Sequence, residues 1–220
     1  MATGLFGGTF DPFHIGHLDV ARAARAALGL DVVLVAPARV PPHRTAPHAS
    51  AAHRFAMTAL ALEDEPGLIV SDVDMESTGP SYTADTLARL RAAGHDLSRL
   101  VFITGADAFR DIESWKDYPQ FLSLCHFVVV SRPDVPVAGL RRQLPALAGR
   151  MHDTPCTWPA QPSILLVDAS TAPVSSTIVR RALAEQLPLD GLVPARVATY
   201  ISRTGLYDVQ AAPLDRKGNA

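Results

Sequence analysis

Thr3-Gly4-Leu5-Phe6-Gly7-Gly8-Thr9-Phe10-Asp11-Pro12-Phe13-His14-Ile15-Gly16-His17 decides the fold. Thr3–Phe6 is a short apolar run, Gly7-Gly8 reads as a turn, and Gly16–Leu28 is alanine-rich and amphipathic. The order is strand, glycine turn, helix start. Such a junction presents backbone N–H groups without intrahelical partners and the positive end of a helix dipole. That environment suits phosphate, and His14 and His17 add donors that can charge when an anion approaches. Two other readings stand beside it. The glycines could form an ordinary turn, since their spacing fits neither G-x-G-x-x-G nor the P-loop. His14 and His17, three residues apart on one helical face, could hold a metal. A structural zinc site takes about four ligands, however, and no cysteine or acidic cluster stands nearby.

The pattern of that first unit recurs along the chain. Strands are predicted at Thr3–Phe6, Asp31–Ala36, Leu68–Val73, Leu100–Thr104, Phe127–Ser131 and Ile164–Asp168. Helices are predicted at Gly16–Leu28, Ala49–Asp64, Tyr82–Ala93, Tyr118–Leu124, Val137–Leu147, Ser176–Gln186 and Pro194–Arg203. The alternation predicts an α/β fold: a Rossmann-like, doubly wound, mostly parallel sheet with helices on both faces and a small C-terminal helical portion. Uniformly apolar strands such as Val32-Val33-Leu34-Val35 agree with burial on both faces. Ligands then bind beyond the strand C-termini, near the switch in strand order. The proline-rich stretch Arg132–Pro162 is expected as a surface excursion with one short helix. Residues 1–208 are expected to form one domain, and residues 209–220 a frayed tail.

Composition narrows the function. The 220 residues are 48% hydrophobic, enough for a sizeable core. A formal charge of −2 argues against a nucleic-acid binder that relies on a basic surface. Cys125 and Cys156 make no disulfide framework. No apolar stretch approaches the roughly 20 residues of a membrane span, and no basic-then-apolar leader is evident. The expectation is a cytoplasmic protein that uses neither nucleic acid nor membrane. A homo-oligomer is compatible with this reading.

Three further segments carry chemistry. Strand two runs into Pro37-Ala38-Arg39-Val40-Pro41-Pro42-His43-Arg44, a proline-stiffened loop whose Arg39 and Arg44 could give phosphates charged, bidentate donors; the bland reading is a solvated basic loop. Val174-Ser175-Ser176-Thr177-Ile178-Val179-Arg180 places N-cap serines just before two arginines, Arg180 and Arg181. A cation near a helix N-terminus opposes the dipole, and a bound anion would rationalise it. Two anion-suited helix starts in one sheet suggest a polyphosphate between them. Pro80-Ser81-Tyr82-Thr83 starts a helix with Ser81 as its expected N-cap. Trp115, in a polar-aromatic stretch, is either core or a platform for a flat ring.

Together these segments resemble a family. GGTFDPFHIGH (7–17), PARVPPHR (37–44), PSYTADTL (80–87), ITGADAF (103–109), WKDYP (115–119), VSSTIVR (174–180) and VATYISRTGLY (197–207) resemble the bacterial nicotinate mononucleotide adenylyltransferases, of the nucleotidylyltransferase superfamily marked by HxGH. HxGH alone is shared with pantetheine-phosphate and cytidylyl enzymes; PSYTADTL, WKD and PPH are more specific. Arg44 stands where the family usually has lysine, which keeps the charge and changes the geometry. The resemblance implies adenylyl transfer from ATP to nicotinate mononucleotide, giving deamido-NAD and pyrophosphate in NAD biosynthesis, by direct attack without a covalent intermediate.

By matching positions, His14, His17, Arg44 and Arg180 would be catalytic. Gly7, Gly8, Thr9 and Phe10 would line the ATP path, where Ser175 and Ser176 join Arg180 on the triphosphate. Gly105 and Asp107 would contact adenosine. Tyr82, Thr83 and Trp115, with Thr9 and Arg44, would receive nicotinate mononucleotide. Mg²⁺ would arrive with ATP, held mainly by phosphates and water rather than by protein ligands. Two rivals remain: a sibling enzyme that takes phosphopantetheine or nicotinamide mononucleotide, and a non-catalytic nucleotide-binding module. The second anion site leaves little for the metal-pair reading to explain.

Overall fold

The computed structural model describes residues 2–42, 46–154 and 158–207. Its elements run β1 (Thr3–Gly8), α1 (Ile15–Leu28), β2 (Val32–Pro37), α2 (Ala51–Leu62), β3 (Leu68–Val70), α3 (Thr83–Ala92), β4 (Leu100–Gly105), α4 (Ala106–Phe109), β5 (His126–Val130), α5 (Leu140–Gln143), β6 (Met151–Asp153), β7 (Ile164–Val167), α6 (Ser176–Ala184) and α7 (Ala195–Thr204). Seven strands form one sheet in the order β3-β2-β1-β4-β5-β7-β6. Every pairing is parallel. The chain winds outward from β1 through β2 to β3, then crosses back to β4. The switch in strand order therefore lies between β1 and β4, where a crevice opens at the strand C-termini.

Strand side chains alternate between two cores, as the two-residue period of a strand requires. Phe6, Val33, Val101, Ile103, Val128 and Leu165 face one core, with Leu18 and Ala21 of α1, Met57 of α2, Val179 of α6 and Ile201 of α7. Leu5, Ala36, Phe102, Phe127 and Leu166 face the other, with Leu87 and Leu90 of α3 and Phe109 of α4. Both faces are covered, so the central strands can be apolar throughout.

The predicted elements shift in three places. The strand expected to reach Val73 ends at Val70. The helix expected over Tyr118–Leu124 is a 3₁₀ turn at Gln120–Ser123. The helix expected over Val137–Leu147 breaks into a 3₁₀ turn, α5, and a second 3₁₀ run at Pro145–Arg150. Pro145 cannot donate the hydrogen bond that would continue α5. The Arg132–Pro162 stretch is more than a surface excursion. Val135, Val137, Leu140, Leu144, Leu147 and Met151 are buried in the second core, and β6 extends the sheet beside β7.

Gly16 has a packing reason. A Cβ there would lie 2.8 Å from an Arg132 guanidinium nitrogen, 3.1 Å from the Val174 carbonyl oxygen and 3.2 Å from that of Ala172. Only glycine lets the first turn of α1 press this closely on the segment leading into α6. Gly16→Ala should therefore destabilise the fold by about 1–3 kcal/mol from overpacking, more than the ~1 kcal/mol that alanine gains in helix propensity. A urea midpoint at or above wild type would contradict this.

Candidate active site

The β1–α1 turn is shaped by aromatic packing. Phe10 has φ 50°, a region uncommon for a non-glycine residue. Its ring lies 5.3 Å from Phe6, 5.2 Å from Phe13 and 4.9 Å from His17, centroid to centroid. A Cβ on Gly8 would meet that ring at 2.6 Å, so Gly8 is what allows Phe10 to fold back over β1. Phe10 is 2% exposed; its contribution is to the shape of the turn.

His14 is the N-cap residue of α1 and only 2% exposed. Its ring stacks on His17 at 3.5 Å and 21°. Burial, and then the Arg132 guanidinium, push its pKa down to about 3. His14 is therefore neutral at physiological pH in this structure. Its Nδ1 is buried without a hydrogen-bond partner among the described residues. The His14 backbone N–H donates to His17 Nδ1 at 3.2 Å, which places the proton of a neutral His17 on Nε2. His17 is half-buried.

Arg132, after β5, donates to the Gly16 carbonyl and to the Val174 carbonyl, each at 2.9 Å. This joins the start of α1 to the loop before α6. Further stitches follow: the Ser176 hydroxyl donates to the Pro12 carbonyl at 3.1 Å, and Arg180 Nη1 donates to the Asp11 carbonyl at 2.6 Å. The Ser175 hydroxyl caps α6 by accepting the Ile178 N–H at 3.2 Å. Both serine hydroxyls are thus engaged within the protein, and what α6 offers an anion is its first-turn backbone N–H groups. A small cavity of about 60 Å³ lies here, lined by Thr9, Asp11, Pro47, His48, Ser176 and Arg180.

A larger cavity of about 700 Å³ opens at the C-terminal ends of β1, β2 and β4. Gly7, Gly8 and Thr9 border it on one side, and Tyr82, Thr83 and Trp115 on another. Thr9 lines both cavities. Trp115 lies parallel to Phe121 and edge-on to Phe102, each at 6.0 Å. Tyr82, rather than Ser81, is the N-cap residue of α3; the Ser81 hydroxyl instead accepts the Arg39 N–H at 3.0 Å. The Arg39 side chain donates to the Ser77 carbonyl, tying down the loop after β2. Lys116 pairs with Asp85 at 2.8 Å and stands 5.1 Å from the Tyr82 ring centroid.

Not every expected residue lines a cavity. Gly105 and Asp107 border neither of the two. They sit at the end of β4, where a Cβ on Gly105 would crowd Asp107 at 2.5 Å and Arg132 at 3.3 Å. Arg44, Cys156 and the tail after residue 208 lie outside the described residues. Among the described residues, no three His, Cys, Asp or Glu side chains are close enough to hold a metal together. None of the described helices is long and apolar enough to cross a membrane.

Two buried charges at the turn went unread in the sequence. Asp11 accepts the His48 N–H at 2.8 Å and the Ala49 N–H at 3.1 Å. Arg54, in α2, is 1% exposed and donates to the carbonyls of Thr9, Arg39 and Ala49. Burial draws its pKa below the usual arginine value, with Asp11 opposing.

A cytidylyltransferase-like family model matches residues 5–182. A relative from Roseiflexus sp. (strain RS-1), described as a probable nicotinate-nucleotide adenylyltransferase, is 40% identical over 206 residues, covering 93% of this chain and 96% of its own. The chain belongs to this family of cytidylyltransferase-like nicotinate-nucleotide adenylyltransferases. A second member, from Mycobacterium avium (strain 104), is 38% identical over 207 residues, covering 94% and 92% of the two chains. The fold matches that of Plasmodium falciparum nicotinic acid mononucleotide adenylyltransferase complexed with NaAD, with TM-score 0.74, 17% identity, and 94% and 97% coverage. In this adenylyltransferase-family chain, Asp11 of the β1–α1 turn and Ser176 at the α6 start border the small cavity, the aromatic cavity adjoins it through Thr9, and His14 and His17 border neither.

Neutral His14 has a consequence for stability. The unfolded chain takes up a proton near the ordinary histidine pKa of about 6.5, while the folded chain does so only near 3. Stability linked to His14 is therefore complete above about 6.5 and is lost as pH falls below it. Between pH 7.5 and 5, wild type should lose about 2 kcal/mol more than His14→Asn. Urea titrations of both proteins at the two pH values measure this, and equal losses would refute it.

Proposed function

We propose that this chain transfers the adenylyl group of ATP to the phosphate of nicotinate mononucleotide, releasing pyrophosphate and deamido-NAD. The observation that carries the reading is the meeting at Thr9 of two unlike cavities. One is small and bordered by Arg180 and a helix start; the other is large and walled by aromatic rings. The first carries donors suited to a phosphate group of ATP, the second suits a mononucleotide with a flat base. The family names of the relatives point the same way.

In the reaction, a phosphate oxygen of the acceptor forms a bond to the α-phosphorus of ATP. The bond from that phosphorus to the bridging oxygen breaks, and the electron pair leaves with pyrophosphate. The acceptor phosphate has a second pKa near 6 and is already largely ionised, so no strong base is needed. A His14 that stays neutral agrees with a site that works by alignment and charge stabilisation. His17 Nε2–H, the α1 and α6 N-termini and Arg180 are the donors for charge on the α-phosphate and the leaving group. Gly7, Gly8 and Thr9 border the path between the cavities, and Ser175 and Ser176 set the α6 start beneath the triphosphate. Arg44 and the Gly105–Asp107 corner keep their phosphate and adenosine roles on the motif match alone.

Mg²⁺ would enter as part of the substrate MgATP. The Asp11 carboxylate at the small cavity is taken up by the His48 and Ala49 N–H groups and by a tyrosine hydroxyl. Phosphate oxygens and water are then the fitting ligands, and the ion supplies further neutralisation of the triphosphate.

The Thr83 hydroxyl and the first-turn N–H groups of α3 are the donors for the ring substituent of the acceptor, beside the Tyr82 ring. Such donors favour a carboxylate over an amide, so kcat/KM for the acid mononucleotide should exceed that for the amide by at least about tenfold. Side-by-side kinetics with the two acceptors check this, and equal values would overturn the pocket assignment. Phosphopantetheine in the same pyrophosphate-release assay tests the sibling reading. ATP binding without pyrophosphate release for any acceptor would point to the non-catalytic module. His17→Ala should lower kcat by roughly 10²–10³, as for loss of a transition-state donor, and should also lower the urea midpoint because the ring packs on Phe10 and His14. Near-normal turnover would remove His17 from the mechanism.

A further inference from the structure

The C-terminal end of the described chain reaches back to the first turn. The Tyr207 hydroxyl donates to Asp11 Oδ1 at 2.8 Å across 196 residues of sequence. Tyr207 has φ 69°, a strained conformation for an aromatic residue, which persists only where its surroundings over-determine it. Its phenol is held protonated by burial and by the adjacent carboxylate, so it acts as a donor. Nothing in the adenylyl-transfer chemistry calls for a tyrosine here.

The carboxylate it meets is 4% exposed and is bonded on both oxygens. Oδ1 accepts the Ala49 N–H and the Tyr207 hydroxyl, and Oδ2 accepts the His48 N–H. Three cationic or protonatable groups surround it. Arg54 is committed to three backbone carbonyls. The His48 ring stands 3.4 Å from Oδ2. Arg180 Nη1 stands 3.9 Å from Oδ2 while donating to the Asp11 carbonyl, and its Nη2 donates to the Thr177 hydroxyl at 3.3 Å. Arg180 is thus at the edge of ion-pair range, oriented but not captured. A buried carboxylate that loses a hydrogen bond recruits another donor, and both recruits, Arg180 and His48, line the small cavity.

We propose that Tyr207 is a positioning residue for the triphosphate half of the site: its hydroxyl occupies the Asp11 carboxylate and so leaves Arg180 to the phosphates of ATP. This rests on the adenylyl-transfer reading. It goes beyond that reading by making the last described residue part of the ATP site, through a contact that leaves the acceptor cavity untouched. The consequence is selective, because Tyr82 and Trp115 do not touch Asp11.

The test is steady-state kinetics of the full chain with Tyr207→Phe, using ATP and nicotinate mononucleotide. The KM for ATP should rise about tenfold, with the KM for the acceptor within twofold of wild type. Tyr200→Phe is the control. It removes a hydroxyl from α7, the helix that ends just before Tyr207, one bonded to His53 at 2.8 Å instead, and should move neither KM. In an Asp11→Asn background, Tyr207→Phe should leave the KM for ATP within twofold, because no carboxylate remains to recruit Arg180; this comparison also serves if the single variant folds poorly. Equal shifts in both KM values, no shift in either, or the same ATP shift in Tyr200→Phe would overturn the proposal. Wild-type turnover in the same assay keeps the parent reading separate: its absence would sink adenylyl transfer, whereas normal wild-type turnover with an unshifted Tyr207→Phe sinks only this role.

Discussion

One guanidinium bridges two helix starts. Arg132 donates to the Gly16 carbonyl on α1 and the Val174 carbonyl before α6. The bridge sets how closely the two N-termini approach, and two adjacent positive dipole ends are costly without an anion between them. It also places a positive charge beside His14, which with burial keeps that imidazole neutral. Gly16 is the necessary counterpart, since any side chain would occupy the space Arg132 uses.

The turn between those helix starts is rich in fixed positive charge. Arg54, Arg132 and Arg180 all donate to backbone carbonyls within it or beside it, and Asp11 is the buried carboxylate among them. A buried charge is tolerated only when paired and hydrogen-bonded, and Asp11 meets that condition through chain segments far from it in sequence. Of these arginines, Arg180 borders the small cavity.

Much of the fold was legible because its signals are local. β1, β2, β4, β5 and β7 follow from apolar runs, and α1, α2, α6 and α7 from helical periodicity and caps. β6 was missed: with Met151 buried and His152 and Asp153 exposed, its three residues show no alternation long enough to read, and it exists only because β7 offers an edge. The helix expected across Val137–Leu147 fails at Pro145, a breaker visible in the sequence but outweighed there by the apolar pattern. In the site, HxGH, Arg180, Tyr82, Thr83 and Trp115 stood out by residue type and spacing. Asp11, Arg54 and Tyr207 did not, because each acts through a partner at least 37 residues away.

By itself the sequence determined the α/β class, the glycine turn beside two histidines, the second anion-suited helix start and the family. Those depend on periodicity, backbone freedom and residue chemistry, all readable within a few positions. Only the tertiary structure decided which of those groups are charged, which hydroxyls are already spent and which cavity each residue borders. His14 is neutral because of what surrounds it, Ser176 is turned to Pro12 by the fit of α6 against the turn, and Thr9 joins two cavities through its place at the end of β1. Desolvation and long-range hydrogen bonds act through space, and a linear pattern does not carry them.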